Sequence, residues 1–265
     1  MKDATLEVDS PADQPEPEEE ETGKMSFLDH LDELRKRLVR IVTYLGIGLI
    51  ACFYFSKDIY NFIAVPLTNL LPPGQKPIFT NLTDPFTLYI KVALLAGVFV
   101  TIPFTMYEVW KFIAPGLYRR EKRYVVPFMI SSVVLFLAGA SFCYYIVLPQ
   151  AYAVLLKFGA DFTPAIKIDE YLDLTLVMLL GFGLVFEMPV VVAFLSIFGL
   201  VTAGFLWRKL KYAVLIMVAL AAVLSPTGDA VNLIIWTAPM VILYLISIGV
   251  AALFGWNRKR REARS

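Results

Sequence analysis

The chain reads as an all-α, polytopic membrane protein with six transmembrane helices. Three observations predict that class. Of its 265 residues, 58% are hydrophobic, where soluble domains run nearer half. Those residues come in uncharged blocks that approach the roughly 20 residues a helix needs to cross a bilayer. The 24 lysines and arginines are also segregated between alternate connections, as on the two sides of a membrane.

The first element is a tail. Residues 1–23 hold nine acids, including the run Glu18 to Glu21, against one base, Lys2, and contain Pro11, Pro15 and Pro17. That composition is too charged to collapse and predicts a disordered acidic tail over 1–24. With no basic start and no apolar stretch it is not a signal peptide. A membrane domain follows over 25–255, and a basic tail over 256–265.

In SFLDHLDELRKRL, residues Phe27, Leu28, Leu31, Leu34 and Leu38 recur at helical spacing. They predict an amphipathic lead-in helix lying at the membrane interface. Asp32 with Lys36, and Glu33 with Arg37, stand four apart as ion pairs on one helix. The spans are then about Leu38–Phe55, Phe86–Tyr107, Tyr124–Leu148, Leu172–Leu200, Tyr212–Leu224 and Val231–Phe254. Residues 56–85 contain five prolines and the pattern IYNFIAVPLTNLL, which suggests a short amphipathic helix. Residues 149–170 contain AYAVLLKF. Both connections read as caps along the outer interface, stiffened by proline. The fifth span has only 13 apolar residues between Lys211 and Ser225. At 1.5 Å per residue that is roughly 20 Å, short of a hydrocarbon core of roughly 30 Å. The sixth carries Pro239, which frees a backbone carbonyl. The last pair is expected to thin the bilayer locally or to pack against another subunit.

Basic residues orient the chain. Nineteen of the 24 fall in the N-terminal segment, in Lys111–Arg123, in Arg208–Lys211 and in Arg258–Arg264; five, Lys57, Lys76, Lys91, Lys157 and Lys167, fall on the other side. Loops rich in Lys and Arg face the cytoplasm, so both termini are expected there. An even number of spans agrees.

The chemistry then concentrates in a few acids. The stretch Phe112 to Arg123, FIAPGLYRREKR, sets Glu121 inside a basic run. A carboxylate there, with an aromatic nearby, suits a cationic ligand at the membrane surface. Glu33 is a second acid on the same side. Glu187, in LLGFGLVFEMPVVV, lies deep in the fourth span. An ionisable group at that depth costs roughly 2.5–3.5 kcal/mol and should face a cavity, water or a partner, or make a buried packing hydrogen bond. Pro189 breaks the local ladder, and Gly181 and Gly183 allow close helix approach. Asp229, in LSPTGDAVN, precedes the sixth helix, whose N-terminus favours an anion. His30 is the single histidine, and Cys52 and Cys143 lie in apolar runs, so no metal site is expected. There is no phosphate loop or nucleophile motif, so neither a cofactor nor an enzyme is expected. The basic runs track the membrane faces and do not read as nucleic-acid patches. A small-solute secondary transporter is the alternative. It would show internal repeats with polar groups at matching depths, and the two halves do not match.

HLDELRKRL before the first span, FIAPGLYRREKR after the second, FEMP in the fourth and SPTGD before the sixth together resemble the TatC family. That family is the polytopic core subunit of the twin-arginine protein translocase. The resemblance covers about residues 25–255. It implies six helices in a curved, glove-like wall with short fifth and sixth helices, in the cytoplasmic (inner) membrane, both termini cytoplasmic. It implies recognition of twin-arginine signal peptides on folded cargo. It also implies transport driven by the protonmotive force in a hetero-oligomer of several copies, with membrane lipid and TatA- and TatB-like single-span proteins as partners. Family positions for signal recognition fall on Glu33, Arg35, Phe112 and Glu121. The outer-loop proline falls on Pro66, the embedded acid on Glu187 and the last outer-turn acid on Asp229. Arginines present planar, always charged donor forks, which interfacial carboxylates bind through charge-assisted hydrogen bonds.

Overall fold

A computed structural model describes residues 27–114, 124–162, 164–224 and 230–262. Its helices are α1 (Phe27–Phe53), α2 (Ser56–Thr68), α3 (Asp84–Ile113), α4 (Val125–Phe142), α5 (Leu148–Phe158), α6 (Ile168–Val185), α7 (Met188–Ile197), α8 (Ala203–Leu224) and α9 (Ala230–Glu262). Among the described residues, strand-like pairing is limited to an isolated bridge between Ile78 and Lys167. Among the described residues, four stretches are long and apolar enough to cross a membrane: Asp84–Ile113, Val125–Phe158, Ile168–Ile197 and Leu233–Leu253. The bent pair α1–α2 makes a fifth if the two helices are counted as one span. The fifth expected span lies in α8, which is not among them, in keeping with its short apolar run.

Three expectations change. The lead-in segment is not a separate interfacial helix: it is the first part of α1, which runs unbroken for 27 residues. No glycine or proline stands between Phe27 and Leu45, so nothing interrupts the hydrogen-bond ladder. AYAVLLKF is likewise not a separate cap. It belongs to α5, joined to α4 by a π-helical turn, Cys143–Val147, in one 34-residue span. That turn lies just ahead of Pro149, whose missing N–H would leave a carbonyl open. Third, the last two helices are not short, with 22 and 33 residues. Polar residues continue them beyond their apolar parts, Arg208, Lys209 and Lys211 in α8 and the stretch from Trp256 to Glu262 in α9.

The outer connection does form the expected helix, α2, which turns 88° away from α1. Pro66 lies inside it and cannot donate to the carbonyl of Phe62 four residues earlier. The Tyr144 hydroxyl takes that carbonyl at 2.5 Å, and the Tyr171 hydroxyl takes the next, Ile63, at 2.8 Å. Tyr144 therefore pins α2 where its own ladder is open, and Tyr171 pins it one residue further on. At the same end, Asp84 accepts from the backbone N–H groups of Thr80 and Asn81 and opens α3. Lys91 reaches Asp169 and Asp173 at 2.6 Å each and ties α3 to α6.

The seam that positions the functional end runs between α1 and α3. A Cβ on Gly48 would lie 3.0 Å from the Gly97 carbonyl oxygen, and one on Gly97 would lie 2.9 Å from the Leu49 nitrogen. The backbones touch there, as small residues allow in membrane helices. The core farther along is aromatic, with Phe182 and Trp236 fully buried and 5.4 Å apart. Gly139 and Gly183 let α4 and α6 interlock, each meeting a phenylalanine of the other helix. The Tyr244 hydroxyl donates to the Leu206 carbonyl and fastens α9 to α8.

Candidate functional site

From the Gly48–Gly97 contact, eleven residues back along α1 reach Arg37, and eleven forward along α3 reach Glu108. The helices are antiparallel and rise 1.5 Å per residue, so both steps cover about 16 Å. The glycine contact therefore sets Arg37 opposite Glu108. Arg37 Nη1 donates to Glu108 Oε2 at 2.8 Å. Its Nε donates to Glu33 Oε1 at 3.0 Å, and its Nη2 donates to the same oxygen. Tyr44 donates to the other Glu108 oxygen at 3.5 Å.

The expected i,i+4 pairs are both present, but in different surroundings. Asp32–Lys36 is exposed, at 2.6 Å. The Lys36 hydrogen bond holds the Asp32 carboxyl below its usual range. Glu33–Arg37 is buried against α3, the two side chains 16% and 9% exposed. The helix is thus inverted relative to a soluble one: Leu28, Leu31, Leu34 and Leu38 are exposed while part of the charged face is inside. In a membrane, lipid accepts the leucines and the charges must find one another. Removing one partner of such a buried pair costs about 3–5 kcal/mol.

Phe112 ends α3 beside the start of α1 and stacks on His30, centroids 4.4 Å apart. Glu33 and Phe112 therefore lie at one end of the same seam. Glu33 Oε2 is buried there with no hydrogen-bond partner among the described residues. Asp29, Asp32, Glu33, Lys36, Arg37 and Arg40 line a depression of about 330 Å³. Arg35 is exposed, outside the buried network, alongside Asp32, Lys36, Val39 and Arg40. Glu121 and Asp229 lie outside the described residues. Pro66 lies in α2, beyond the opposite end of α1.

Glu187 sits in the turn between α6 and α7, half-buried, with Oε1 unpartnered among the described residues. Ser132 of α4 lies within reach of this carboxylate. The Ser132 oxygen also accepts from Trp110 Nε1 at 3.1 Å. Trp110 stacks on Phe128 and meets Phe194 edge-on. The embedded acid is thereby connected to the last turn of α3, two residues from both Glu108 and Phe112. Among the described residues no group of His, Cys, Asp and Glu is placed to hold a metal ion.

Sequence reasoning missed Glu108, the pairing of Arg37 across helices, and the His30–Phe112 stack. A signal for the first was available: Glu108 is a carboxylate at the margin of an apolar run, where an ionisable group needs a partner.

This arrangement defines a class: a polytopic membrane protein with a buried cluster of carboxylates and arginine at one end of its α1–α3 helix pair. Comparison with known proteins gives the family. The profile described as Sec-independent protein translocase protein (TatC) matches residues 29–239. The Sec-independent protein translocase protein TatC of Koribacter versatilis is 47% identical over 245 residues, 91% of this chain and 90% of that one. That of Desulforapulum autotrophicum is 43% identical over 243 residues, again 91% and 90%. A crystal structure described as Twin Arginine Translocase Receptor- TatC superposes with a TM-score of 0.76 at 34% identity, covering 85% of this chain and 99% of that one. The chain belongs to the TatC family.

Proposed function

We propose that this chain is the core subunit of a twin-arginine translocase in the cytoplasmic membrane, with six spans in a curved wall and both termini in the cytoplasm. Its cytoplasmic face binds the paired arginines of signal peptides on folded cargo. Together with TatA- and TatB-like single-span partners, in several copies, it passes folded proteins across the membrane using the protonmotive force. It acts as a transport subunit and carries out no bond chemistry of its own.

The observation that carries this reading is Glu33, whose free oxygen is buried beside the Phe112 end of α3. A carboxylate in partly dry surroundings binds a guanidinium strongly, and Phe112 offers an aromatic face for the residues beside it. Glu121 adds a second carboxylate from the following loop, and Arg35 stands at the exposed rim. Glu187 is the polar spot along the wall that the apolar part of the signal reaches. Pro66 and Asp229 hold the outer connections.

The test is site-specific crosslinking of a signal peptide to the membrane-inserted protein, with Arg-Arg or Lys-Lys in the peptide. Arg-Arg peptide should crosslink next to Phe112, and Lys-Lys peptide poorly. Glu33→Ala and Glu121→Ala should each weaken the crosslink while insertion stays intact. Unchanged crosslinking in the double variant would sink the acidic site.

A further inference from the structure

We propose that Glu108 is a further carboxylate of the guanidinium site, and that Arg40 occupies it in the resting protein as a displaceable internal cation. This inference rests on the reading of Glu33 as a peptide-binding residue.

Its basis is a charge count. Glu33, Arg37 and Glu108 form a buried trio, their side chains 16%, 9% and 3% exposed. Two carboxylates against one guanidinium leave one negative charge unmatched, and a buried charge needs a partner. Among the described residues Arg40 is that partner, but a loose one. Its Nη1 stands 3.6 Å from Glu108 Oε2 and its side chain is 52% exposed. That distance is too long for a hydrogen bond. Arg37 is different: Nε, Nη1 and Nη2 are all engaged, and the side chain is buried. Arg37 is therefore fixed and Arg40 is exchangeable.

The second observation is the orphaned Glu33 Oε2. Arg40 neutralises the trio without making the hydrogen bonds it still accepts. An incoming guanidinium brings five donors in a planar fork. It replaces the Arg40 charge and adds directional bonds to Glu108 and Glu33. An ammonium replaces the charge without the fork, so the exchange favours arginine over lysine. Arg40 and Glu33 line the same depression, so the ligand arrives where Arg40 leaves.

The experiment uses the full chain in phospholipid nanodiscs and fluorescent signal peptides carrying Arg-Arg or Lys-Lys, with Kd read by anisotropy at fixed ionic strength. Glu33→Gln tests the underlying reading, because unchanged affinity there refutes peptide binding at Glu33 itself. With that loss in place, Arg40→Gln should bind the Arg-Arg peptide about fivefold tighter and Glu108→Gln about tenfold weaker, the size of one charge-assisted contact. Arg40→Lys, which keeps the charge, should stay near the parent affinity. Adding Arg40→Gln to Glu108→Gln should change nothing further, since Arg40 then has no charge left to shield. Glutamine keeps the size and an accepting oxygen, Arg40 is half-exposed, and only variants whose denaturant unfolding matches that of the parent enter the comparison. Weaker or unchanged binding in Arg40→Gln overturns the proposal. So does a tightening that persists in the Glu108→Gln background, which assigns it to general repulsion between Arg40 and a cationic peptide.

Discussion

Gly97→Ala probes whether the α1–α3 seam is limited by backbone contact. The added Cβ would stand 2.9 Å from the Leu49 nitrogen and 3.0 Å from the Gly48 carbonyl carbon. Both are main-chain atoms of a helix, so relief requires the helices to part. Overpacking of this kind typically costs about 1–3 kcal/mol. Alanine also returns up to about 1 kcal/mol of helix propensity, and a matched control removes that contribution. Gly46, two residues from Gly48, has nothing within 4 Å of its Cβ position. Gly46→Ala therefore gains the propensity without the clash. The predicted gap between the two variants is about 1–3 kcal/mol. The assay uses the chain's only two cysteines, Cys52 and Cys143, both buried. A thiol-reactive fluorophore followed through a denaturant series in detergent reports their exposure. Gly97→Ala should unfold at lower denaturant than the parent, and Gly46→Ala at the same concentration or higher. Peptide affinity should fall in Gly97→Ala alone, since a parted seam loosens Arg37 from Glu108. Equal stability of the two alanine variants would refute the seam argument.

Two further outcomes are expected. Tyr144→Phe leaves the Phe62 carbonyl without its donor, a loss of about 1–3 kcal/mol. Pro66→Ala restores an N–H four residues on and should shrink that loss, so a double-mutant cycle by the same unfolding assay should be non-additive; strict additivity would remove the link between the proline and the tyrosine. Glu187→Leu should insert and unfold no more easily than the parent, because a carboxylate at that depth is itself costly. Export of a folded twin-arginine reporter should nevertheless drop sharply, and normal export would reduce Glu187 to a packing residue.

Much of the helical layout was readable from residue order. Apolar blocks located the second, third, fourth and sixth spans, because burial in lipid needs a run of fixed length. The i,i+4 partners Asp32–Lys36 and Glu33–Arg37 followed from helical spacing alone. Boundaries were less legible where a helix continued through polar residues. The start of α1 was read as a separate element because its pattern changes from amphipathic to apolar. A change of pattern is not a break in the ladder, and no glycine or proline supplied one. The break that does occur in the fourth span, at Phe186–Glu187, was marked by Pro189.

Of the candidate site, residue order put Glu33 with Glu121 on one side of the membrane and Phe112 beside Glu121, but it did not show the buried network in which Glu33 sits. Periodicity says which residues share a face of one helix. It does not say which face turns inward, and here lipid reverses the rule that holds in water. By itself the sequence determined helices, spans, charge asymmetry and the acids worth watching, because these depend on local spacing and on transfer of side chains into lipid. Only the tertiary structure decided that Arg37 meets Glu108, 71 positions away, that Arg40 stands beside the pair, and that Tyr144 takes the carbonyl that Pro66 leaves open. Those contacts depend on the rotation and register of whole helices. That register was set by the close approach of Gly48 and Gly97, a contact between residues that carry no side chain to announce it.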